Sequence, residues 1–478
     1  MTRWRWAWIL TIPLMTVAAI YLFTDKPATA SDSPWDFVKR RAPHVDHTDI
    51  MAGEYPTPQA VTQRCLECHE DAAAQVMQTN HWTWESEPAT VEGHPEPVVG
   101  GKKNVINNFC IGIAGNWSGC SSCHTGYGWE DQNFDFSIAE NVDCLVCHDQ
   151  SGQYVKGTAG LPADSVDLEA VAQSVGYADR DNCGGCHFRG GGGDAVKHGD
   201  LDSSLFFPDE SVDVHMGRYD FVCTDCHTTD NHDIKGKSIS VSLDNHNQAY
   251  CTDCHNAEPH EDFRLNSHIA TVACQTCHVP EVAVRLATKT HWDWSTAGDD
   301  EREQSTHEYL KIKGSFEYEK NLQPTYAWYN GVADRYILGD ALDAGGVTKM
   351  NEPKGDIQDS TAKIWPFKVH LAEQPYDKLY NHLLQPKTVG EYWVNFDWDA
   401  ALRAGSELTG LDYSGDYGFT TTSMHWPLTH MVAPKNQALS CEQCHSENGR
   451  LDWQALGYPG DPIEWGGRAN NTTVEGTK

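Results

Sequence analysis

Eight copies of the pentapeptide Cys-x-x-Cys-His account for sixteen of the 17 cysteines in this 478-residue chain. The copies consist of Cys65, Cys68 and His69; Cys120, Cys123 and His124; Cys144, Cys147 and His148; Cys183, Cys186 and His187; Cys223, Cys226 and His227; Cys251, Cys254 and His255; Cys274, Cys277 and His278; and Cys441, Cys444 and His445. Two cysteines three positions apart share one face of a helical turn, and a histidine follows immediately. The chain must therefore fold around whatever these motifs bind.

The spacing is typical of c-type haem, which is attached through two thioethers and takes the histidine as an axial iron ligand. All-cysteine zinc sites need no histidine after every second cysteine. A disulfide framework would not require a constant two-residue gap. The sequence therefore predicts eight covalently bound haems c, with each motif histidine as a proximal ligand.

The amino terminus has the features of an export signal. Arg3 and Arg5 precede an apolar stretch from Ala7 to Phe23, and Ala28-Thr29-Ala30 supplies a cleavage site of small residues. We expect residues 1–30 to be a signal peptide and the mature protein to be periplasmic. The alternative is an uncleaved membrane anchor, although the stretch is short for a membrane span and Pro13 interrupts it.

The distribution of motifs predicts how the chain is organised. Seven motifs fall within residues 31–290, a haem-poor helical section follows at 291–440, the eighth haem segment is 441–460, and 461–478 is a loose tail. We expect helices near 64–77, 164–175, 368–384 and 398–409, the last ended by Gly410, and a strand near 238–243. The predicted fold is mainly α with many loops and little β.

A haem that only transfers electrons needs a second strong axial ligand, and sixteen histidines lie outside the motifs. For any one of them the alternative is a surface or hydrogen-bonded histidine. The favoured distal ligands are His47, His81, His198, His215, His232, His260, His268 and His430.

Four segments of the chain resemble the octahaem tetrathionate reductase family of multihaem c-type cytochromes. They are NFCIGIAGNWSGCSSCH at 108–124, VDCLVCHD at 142–149, GGGGDAVKHGDL at 190–201 and WPLTHMVAP at 426–434. The similarity runs from about residue 44 to 452. The resemblance implies a haem array related to the hydroxylamine oxidoreductase and nitrite reductase superfamily. It also implies seven bis-histidine haems and one substrate-facing haem, the second, held by Cys120, Cys123 and His124, with a lysine as its distal ligand.

Two lysines compete for that ligand position. Lys197 is preferred because the preceding glycines, 190–193, let backbone lie close to a macrocycle. Lys156, beside Gly157, is the alternative. Either amine must be neutral to bind iron, so its pKa must be lowered. The unpaired Cys110 is either an inert thiol or a reactive one near the substrate haem.

The first functional hypothesis is a terminal reductase that cleaves tetrathionate into two thiosulfates. Reduction of nitrite or hydroxylamine, and a non-catalytic electron carrier or filament subunit, are the alternatives. The formal net charge of -33 disfavours nucleic acid and favours a positively charged redox partner, such as a cytochrome or a quinol-linked donor. An anionic substrate would need a basic entrance, for which Lys102, Lys103 and Lys197 are candidates. Membrane contact is expected only if the anchor is retained. The resemblance allows a calcium ion beside the substrate haem, but no ligand loop in the sequence supports it.

Overall fold

The computed structural model describes residues 35, 37–38, 40–110, 112–239, 242–243, 247–343 and 346–468. Contacts divide the chain into two units, Met1–Ala42 and Pro43–Lys478, and every site discussed below lies in the second. The expected signal peptide or anchor, residues 1–30, lies outside the described residues. Within them, no helix combines the length and apolar character needed to cross a membrane.

The helices are short, and most of the haem motifs lie on them or at their ends. Helix Arg180–His187 shows how sequence sets a boundary: Asp179 caps its first turn, and Asn182 bonds back to the cap. The α-helices are Pro58–Leu66, Ala72–Val76, Asn80–Thr83, Trp117–Cys120, Leu145–His148, Leu168–Gln173, Arg180–His187, Cys223–Cys226, Phe263–His268, Cys274–His278, Trp393–Asn395, Trp398–Thr409, Cys441–Cys444 and Pro462–Trp465. Shorter 3-10 helices are Ser121–Cys123, Ala139–Asn141, Thr158–Gly160, Ser203–Phe206, Cys251–Asp253 and Trp294–Thr296, and π-helical turns are Val214–Arg218 and Thr388–Tyr392.

In the described residues, the strands form one large mixed sheet and three small two-stranded ones. The strands are β1 Pro88–Ala89, β2 Val98–Val99, β3 Thr229–Asp230, β4 Asp233–Ile234, β5 Thr288–Asp293, β6 Tyr309–Leu310, β7 Gly314–Glu319, β8 Thr325–Tyr329, β9 Ala333–Arg335, β10 Val347–Lys349, β11 Asn351–Pro353, β12 Lys363–Asp377, β13 His382–Leu383 and β14 Tyr417–Pro427. The large sheet has the order β10-β14-β12-β5-β7-β6, and β8 and β13 also pair with β12. The small sheets pair β1 with β2, β3 with β4 and β9 with β11.

The long strand β12 is the centre of the large sheet. It pairs antiparallel with β14 from Phe367 opposite Pro427 to Asp377 opposite Tyr417, and parallel with β5 on its other side. The chain is 26% helical and 17% strand. The prediction of a mainly α fold with little β is therefore wrong, and so is the predicted helix at 368–384. Partners distant in sequence satisfy both edges of this segment, so tertiary pairing outweighs its local helical pattern.

Other local predictions had mixed outcomes. The helix at 398–409 is confirmed as Trp398–Thr409, and Gly410 ends it with φ of 75°. The helix near 164–175 is shorter, at Leu168–Gln173, because Asp167 caps its start. The region 64–77 contains the end of one helix and a second short one, and 238–243 has no strand in its described residues. The expected loose tail begins with a docked segment in which Arg468 donates to the carbonyls of Ile357 and Ala362.

An aromatic core lies between the large sheet and helix Trp398–Thr409. Trp292 and Trp294 stack with ring centroids 4.7 Å apart, and they pack with Leu402 and Tyr392. Phe109, just before Cys110, packs against the same cluster. The haem-poor section therefore has an apolar core of its own, which touches the segment leading to the second motif.

Candidate haem-binding and active site

Seven of the eight motif histidines face a second histidine outside the motifs. An iron atom with an imidazole nitrogen about 2 Å away on each side would separate the two ring centroids by about 6 Å. The observed centroid separations are His47–His69 6.4 Å, His81–His187 6.2 Å, His148–His232 6.5 Å, His215–His255 6.0 Å, His227–His430 6.1 Å, His260–His278 6.1 Å and His268–His445 6.1 Å. The protein thus holds seven histidine pairs at the spacing that an intervening iron requires.

The hydrogen bonds of these histidines also suit iron ligation. A ligating imidazole usually donates its other N–H to a carbonyl or carboxylate, which fixes its orientation and tautomer. His148 Nδ1 bonds to the Gly176 carbonyl (2.8 Å), and His445 Nδ1 bonds to Asp461 Oδ1 (2.7 Å). The same pattern holds for His47, His227, His232, His260 and His268. In each, the Nε2 atom remains for a metal.

The motif cysteines indicate which motifs are neighbours. Cysteine sulfurs of different motifs lie next to each other in four pairs: Cys65 with Cys144, Cys123 with Cys186, Cys183 with Cys223, and Cys251 with Cys274. Cys147 with Cys183, Cys226 with Cys254, and Cys277 with Cys444 lie close enough to interact electrostatically. In space, the first, third, fourth, fifth, sixth, seventh and eighth motifs therefore follow one another as neighbours. The second motif lies beside the fourth, to one side of this row.

His124, in the second motif, has no such partner, because no other histidine ring lies against it in the described part of the chain. Its ring is fully buried among aromatic side chains, with the Trp129 centroid 4.8 Å away. Nε2 bonds to the Trp82 carbonyl at 2.7 Å, and Nδ1 has no hydrogen-bond partner. Burial is the main cause that lowers the pKa of His124 to about 3. The imidazole is therefore neutral and keeps one ring nitrogen available as a ligand.

Lys156, one of the two candidate lysines, is held by other groups. Its Nζ lies 2.7 Å from Asp143 Oδ2, and the two side chains are 5% and 0% exposed. The amine also donates to the carbonyls of His124 and Gly126. Tyr127 and Tyr154 donate their hydroxyls to the same carboxylate, each at 2.9 Å. Lys156 is thus a structural cation beneath the second motif, with its amine committed to three acceptors.

Lys197, the other candidate, has no ion pair with any carboxylate in the described residues. Glycines surround it: a Cβ on Gly190 would collide with its Nζ, and one on Gly191 would lie 2.8 Å from its Cγ. Desolvation is the main cause that lowers the pKa of Lys197 to about 8, with a further lowering from the positive charge of Lys102. Thiolate charge at Cys123 and Cys186 opposes this shift, and as thioethers these sulfurs would carry none. The environment therefore shifts the Lys197 amine toward its neutral form beside the second and fourth motifs.

Cys110 lies in the same region as Lys197. It interacts electrostatically with Lys197 and with Cys120 of the second motif, and its backbone N–H donates to Asn107 Oδ1 at 2.9 Å. Lys102 is one of the lysines expected to form a basic entrance. Its Nζ lies over the Trp84 ring, 4.0 Å from the ring centroid. Lys103 instead forms an ion pair with Glu85 at 2.8 Å. The structure thus brings Cys110, Lys197 and Lys102 together and leaves Lys103 neutralised.

His198 is the one favoured distal histidine that does not face a motif histidine. Its ring lies edge-on to Trp426 of β14, with centroids 4.7 Å apart. The sequence analysis also missed several buried polar residues beneath this site: Thr288 and Lys289 on β5, and Lys368 and His370 on β12. Alternation of Lys368 and His370 with Val369 and Leu371 could have revealed the two residues on β12, since period-two alternation indicates a strand.

Comparisons with known proteins point in one direction. A family model described as bacterial cytochrome c matches residues 289–448, and one described as cytochrome c7 and related cytochrome c matches residues 209–284. The chain is similar to an uncharacterized protein of Archaeoglobus fulgidus, with 25% identity over 249 residues, covering 41% of this chain and 82% of that protein. It is also similar to the crystal structure of octaheme cytochrome c from Shewanella oneidensis. That match has 49% identity and a TM-score of 0.83, and it covers 88% of this chain and 98% of the other.

Proposed function

Because this chain belongs to the octahaem tetrathionate reductase family of c-type cytochromes, we propose that it is a periplasmic terminal reductase whose substrate site is the second haem. The chain binds haem c covalently and takes part in electron transport. The proposed complement is eight haems, one on each motif. The seven histidine pairs would supply both axial ligands of seven of them, which leaves the second as the haem with a different distal ligand.

The observation that carries the proposal is the isolation of His124. A haem with two histidine ligands has no open position for a substrate, so it serves only electron transfer. His124 alone among the motif histidines faces no histidine in the described residues, and Cys110 and Lys197 lie beside its motif. A distal group that is not histidine, next to a free thiol, is the arrangement expected of a reacting site rather than of an electron relay.

Lys197 is the proposed distal ligand. Its amine lacks a carboxylate partner and has a lowered pKa, whereas the amine of Lys156 is held by Asp143 and two carbonyls. A lysine on a long flexible stem can leave the metal more easily than a packed imidazole ring. Once released, the amine would become protonated and attract an anion. The same side chain would then close the resting site and bind the arriving substrate.

Tetrathionate is the proposed substrate. The dianion takes up two electrons, its central S–S bond breaks, and two thiosulfate dianions leave, so the reaction requires no proton. When bound, the haems supply the one-electron transfers that deliver the two electrons. Lys102 and Lys197 would attract and orient the anion in a chain whose net charge is otherwise strongly negative. The negative surface would dock a positively charged donor, and the neighbouring motif cysteines support an electron route that reaches the second motif through the fourth.

Spectra of the oxidised protein test the ligand assignment. We expect electron paramagnetic resonance and near-infrared magnetic circular dichroism to show seven bis-histidine haems and one lysine-ligated haem. Lys197→Met should change the signal of that one haem alone. Lys156→Met is the matched control, because it removes a lysine close to the same motif, and it should leave the signal unchanged. Finding all eight haems bis-histidine would reject the reductase and leave an electron carrier or filament subunit.

A steady-state assay tests the substrate. Oxidation of a reduced viologen should be fastest with tetrathionate, measured as kcat/KM against nitrite and hydroxylamine. Lys102→Met should raise KM for tetrathionate more than it lowers kcat, because its charge acts on capture of the anion. Lys103→Met, which removes a lysine already paired with Glu85, should have little effect. Higher kcat/KM with nitrite or hydroxylamine would assign the site to nitrogen oxides instead.

A further inference from the structure

The backbone that carries Lys197 lies on the large sheet, and two side chains of that sheet bind its carbonyl groups. Lys368 Nζ donates to the carbonyls of Val196 and Lys197, each at 2.9 Å. Thr288 Oγ1 donates to the Ala195 carbonyl at 2.7 Å, and the His198 carbonyl is 3.0 Å from the same hydroxyl. One lysine and one threonine thus contact four consecutive carbonyls: three accept a hydrogen bond each, and the fourth lies within reach of the same hydroxyl.

The two side chains also bind each other. Lys368 Nζ donates its third hydrogen bond to Thr288 Oγ1 at 2.5 Å, so all three N–H groups of this amine have acceptors. Lys368 is 2% exposed and Thr288 is fully buried. No carboxylate forms an ion pair with Lys368 within the described ranges. Its role at this place is therefore hydrogen bonding to backbone, not charge pairing.

The segment that is held in this way has a backbone conformation that needs support. Ala195 has φ of 58°, in the left-handed region that alanine rarely adopts. Such conformations persist where the surroundings fix them. The supporting side chains come from β5 and β12, which pair directly in the large sheet. A paired sheet is a more rigid platform than a loop, and rigid supports give a site its precision.

The same strand also holds the segment before Cys110. Gln374 Nε2 donates to the Asn107 carbonyl at 2.8 Å, and Asn108 Nδ2 donates to the His370 carbonyl at 2.9 Å. Lys368, His370 and Gln374 are separated by even numbers of residues along β12 and so lie on one face of the strand. Both segments of the proposed active site are therefore fastened to β12.

We propose that Lys368 and Thr288 are positioning residues that direct the Lys197 side chain toward the second haem. The proposal rests on the proposed function, since it takes Lys197 as the distal ligand. Loss of either hydrogen-bonding group frees the 195–198 carbonyls from the sheet, so Lys197 no longer holds one orientation. The other seven haems are ligated from outside this segment and keep their ligands.

Four variants test the proposal in the full, haem-loaded protein. Thr288→Val removes the hydroxyl at nearly constant size, and Thr288→Ser restores it. Lys368→Met removes the amine, and Lys289→Met is its matched control, because Lys289 is a buried lysine of β5 with no hydrogen bond to the segment. The readout is the lysine-ligated haem signal in the oxidised protein, with the seven bis-histidine signals as an internal measure of folding.

We expect Thr288→Val and Lys368→Met to lose at least half of the lysine-ligated signal, while Thr288→Ser and Lys289→Met retain it. If Lys368→Met does not assemble, Thr288→Val against Thr288→Ser decides. An intact signal in Thr288→Val and in any assembled Lys368→Met overturns the proposal while leaving the proposed function in place. A Lys197→Met variant with an unchanged spectrum overturns the ligand assignment and this proposal with it.

Discussion

Replacing Lys156 by methionine should destabilise the protein without changing the second haem. The substitution removes a cation 2.7 Å from Asp143 Oδ2, in a pair whose side chains are 5% and 0% exposed. Removing one partner of a buried ion pair typically costs about 3–5 kcal/mol, because the other charge is left buried. The carbonyls of His124 and Gly126 also lose a donor.

The remaining donors place the expected cost at the low end of that range. Tyr127 and Tyr154 keep donating to Asp143, because burial raises the pKa of both hydroxyls. The Val146 N–H adds a further bond at 3.1 Å. We therefore expect Lys156→Met to lower the free energy of unfolding by about 3 kcal/mol. Adding Asp143→Asn should recover part of the loss, because the uncompensated charge is removed.

Guanidinium unfolding followed by tryptophan fluorescence and the Soret band measures this cost. Lys197→Met, which breaks no ion pair, is the comparison and should cost far less. A loss below about 1 kcal/mol for Lys156→Met would contradict the assignment of a buried structural ion pair. A change in the second haem's spectrum in Lys156→Met, with none in Lys197→Met, would show that the ligand is Lys156.

Three further substitutions, and one control, probe other features. Asp461→Asn should raise the reduction potential of the eighth haem in spectroelectrochemistry by about 40 mV, the equivalent of about 1 kcal/mol, because the carboxylate bonded to His445 stabilises the oxidised iron. Burial lowers the pKa of Lys289 to about 6. The buried amine therefore destabilises the folded protein most below pH 6, where it is charged. This destabilisation decreases as the pH rises toward 10.5, the pKa of the amine in the unfolded chain. Lys289→Met should thus raise the unfolding free energy by about 1–4 kcal/mol at pH 5.5 and less at pH 9.5. Gly101→Ala should lower the free energy of unfolding by about 2 kcal/mol or more in the same assay, because the new Cβ would collide with a backbone carbonyl. Gly93→Ala is the control: its Cβ meets open space, so the loss should be about 1 kcal/mol.

The chemistry of the haem sites could be predicted from sequence, because covalent attachment depends on neighbouring residues. Cys-x-x-Cys-His specifies the cofactor within five positions. The pairing of histidines could not be predicted, because it depends on the fold. His227 and His430 lie far apart in the chain, yet their rings are 6.1 Å apart. His198 is the one favoured distal histidine without a motif partner, and its ring lies against Trp426 instead.

The large sheet was missed for a related reason. The segment 368–384 contains apolar residues at spacings that suit a helix as well as a strand. Pro375 is unfavourable in the interior of both, so it does not decide between them. Its conformation is decided by β14 and β5, which lie elsewhere in the sequence and cannot be paired with it from local pattern. Helix Trp398–Thr409 was predicted because its own residues define it, from the cap at Asp397 to Gly410.

The sheet gives the haem-poor section a function that motif counting does not suggest. A haem relay needs only ligands held at a fixed distance. Short helices and loops supply most of these ligands within residues 44–278, and His430 and His445 complete two of the pairs. A substrate site needs more, since its distal ligand must be held firmly yet be able to leave. Strand β12 meets the first requirement by binding the backbone at 195–198 and at 107–108, while the surrounding glycines leave the Lys197 side chain free to move. Under the proposed function, the long interval without haem motifs is therefore where the chain would build the support for the haem at the substrate site.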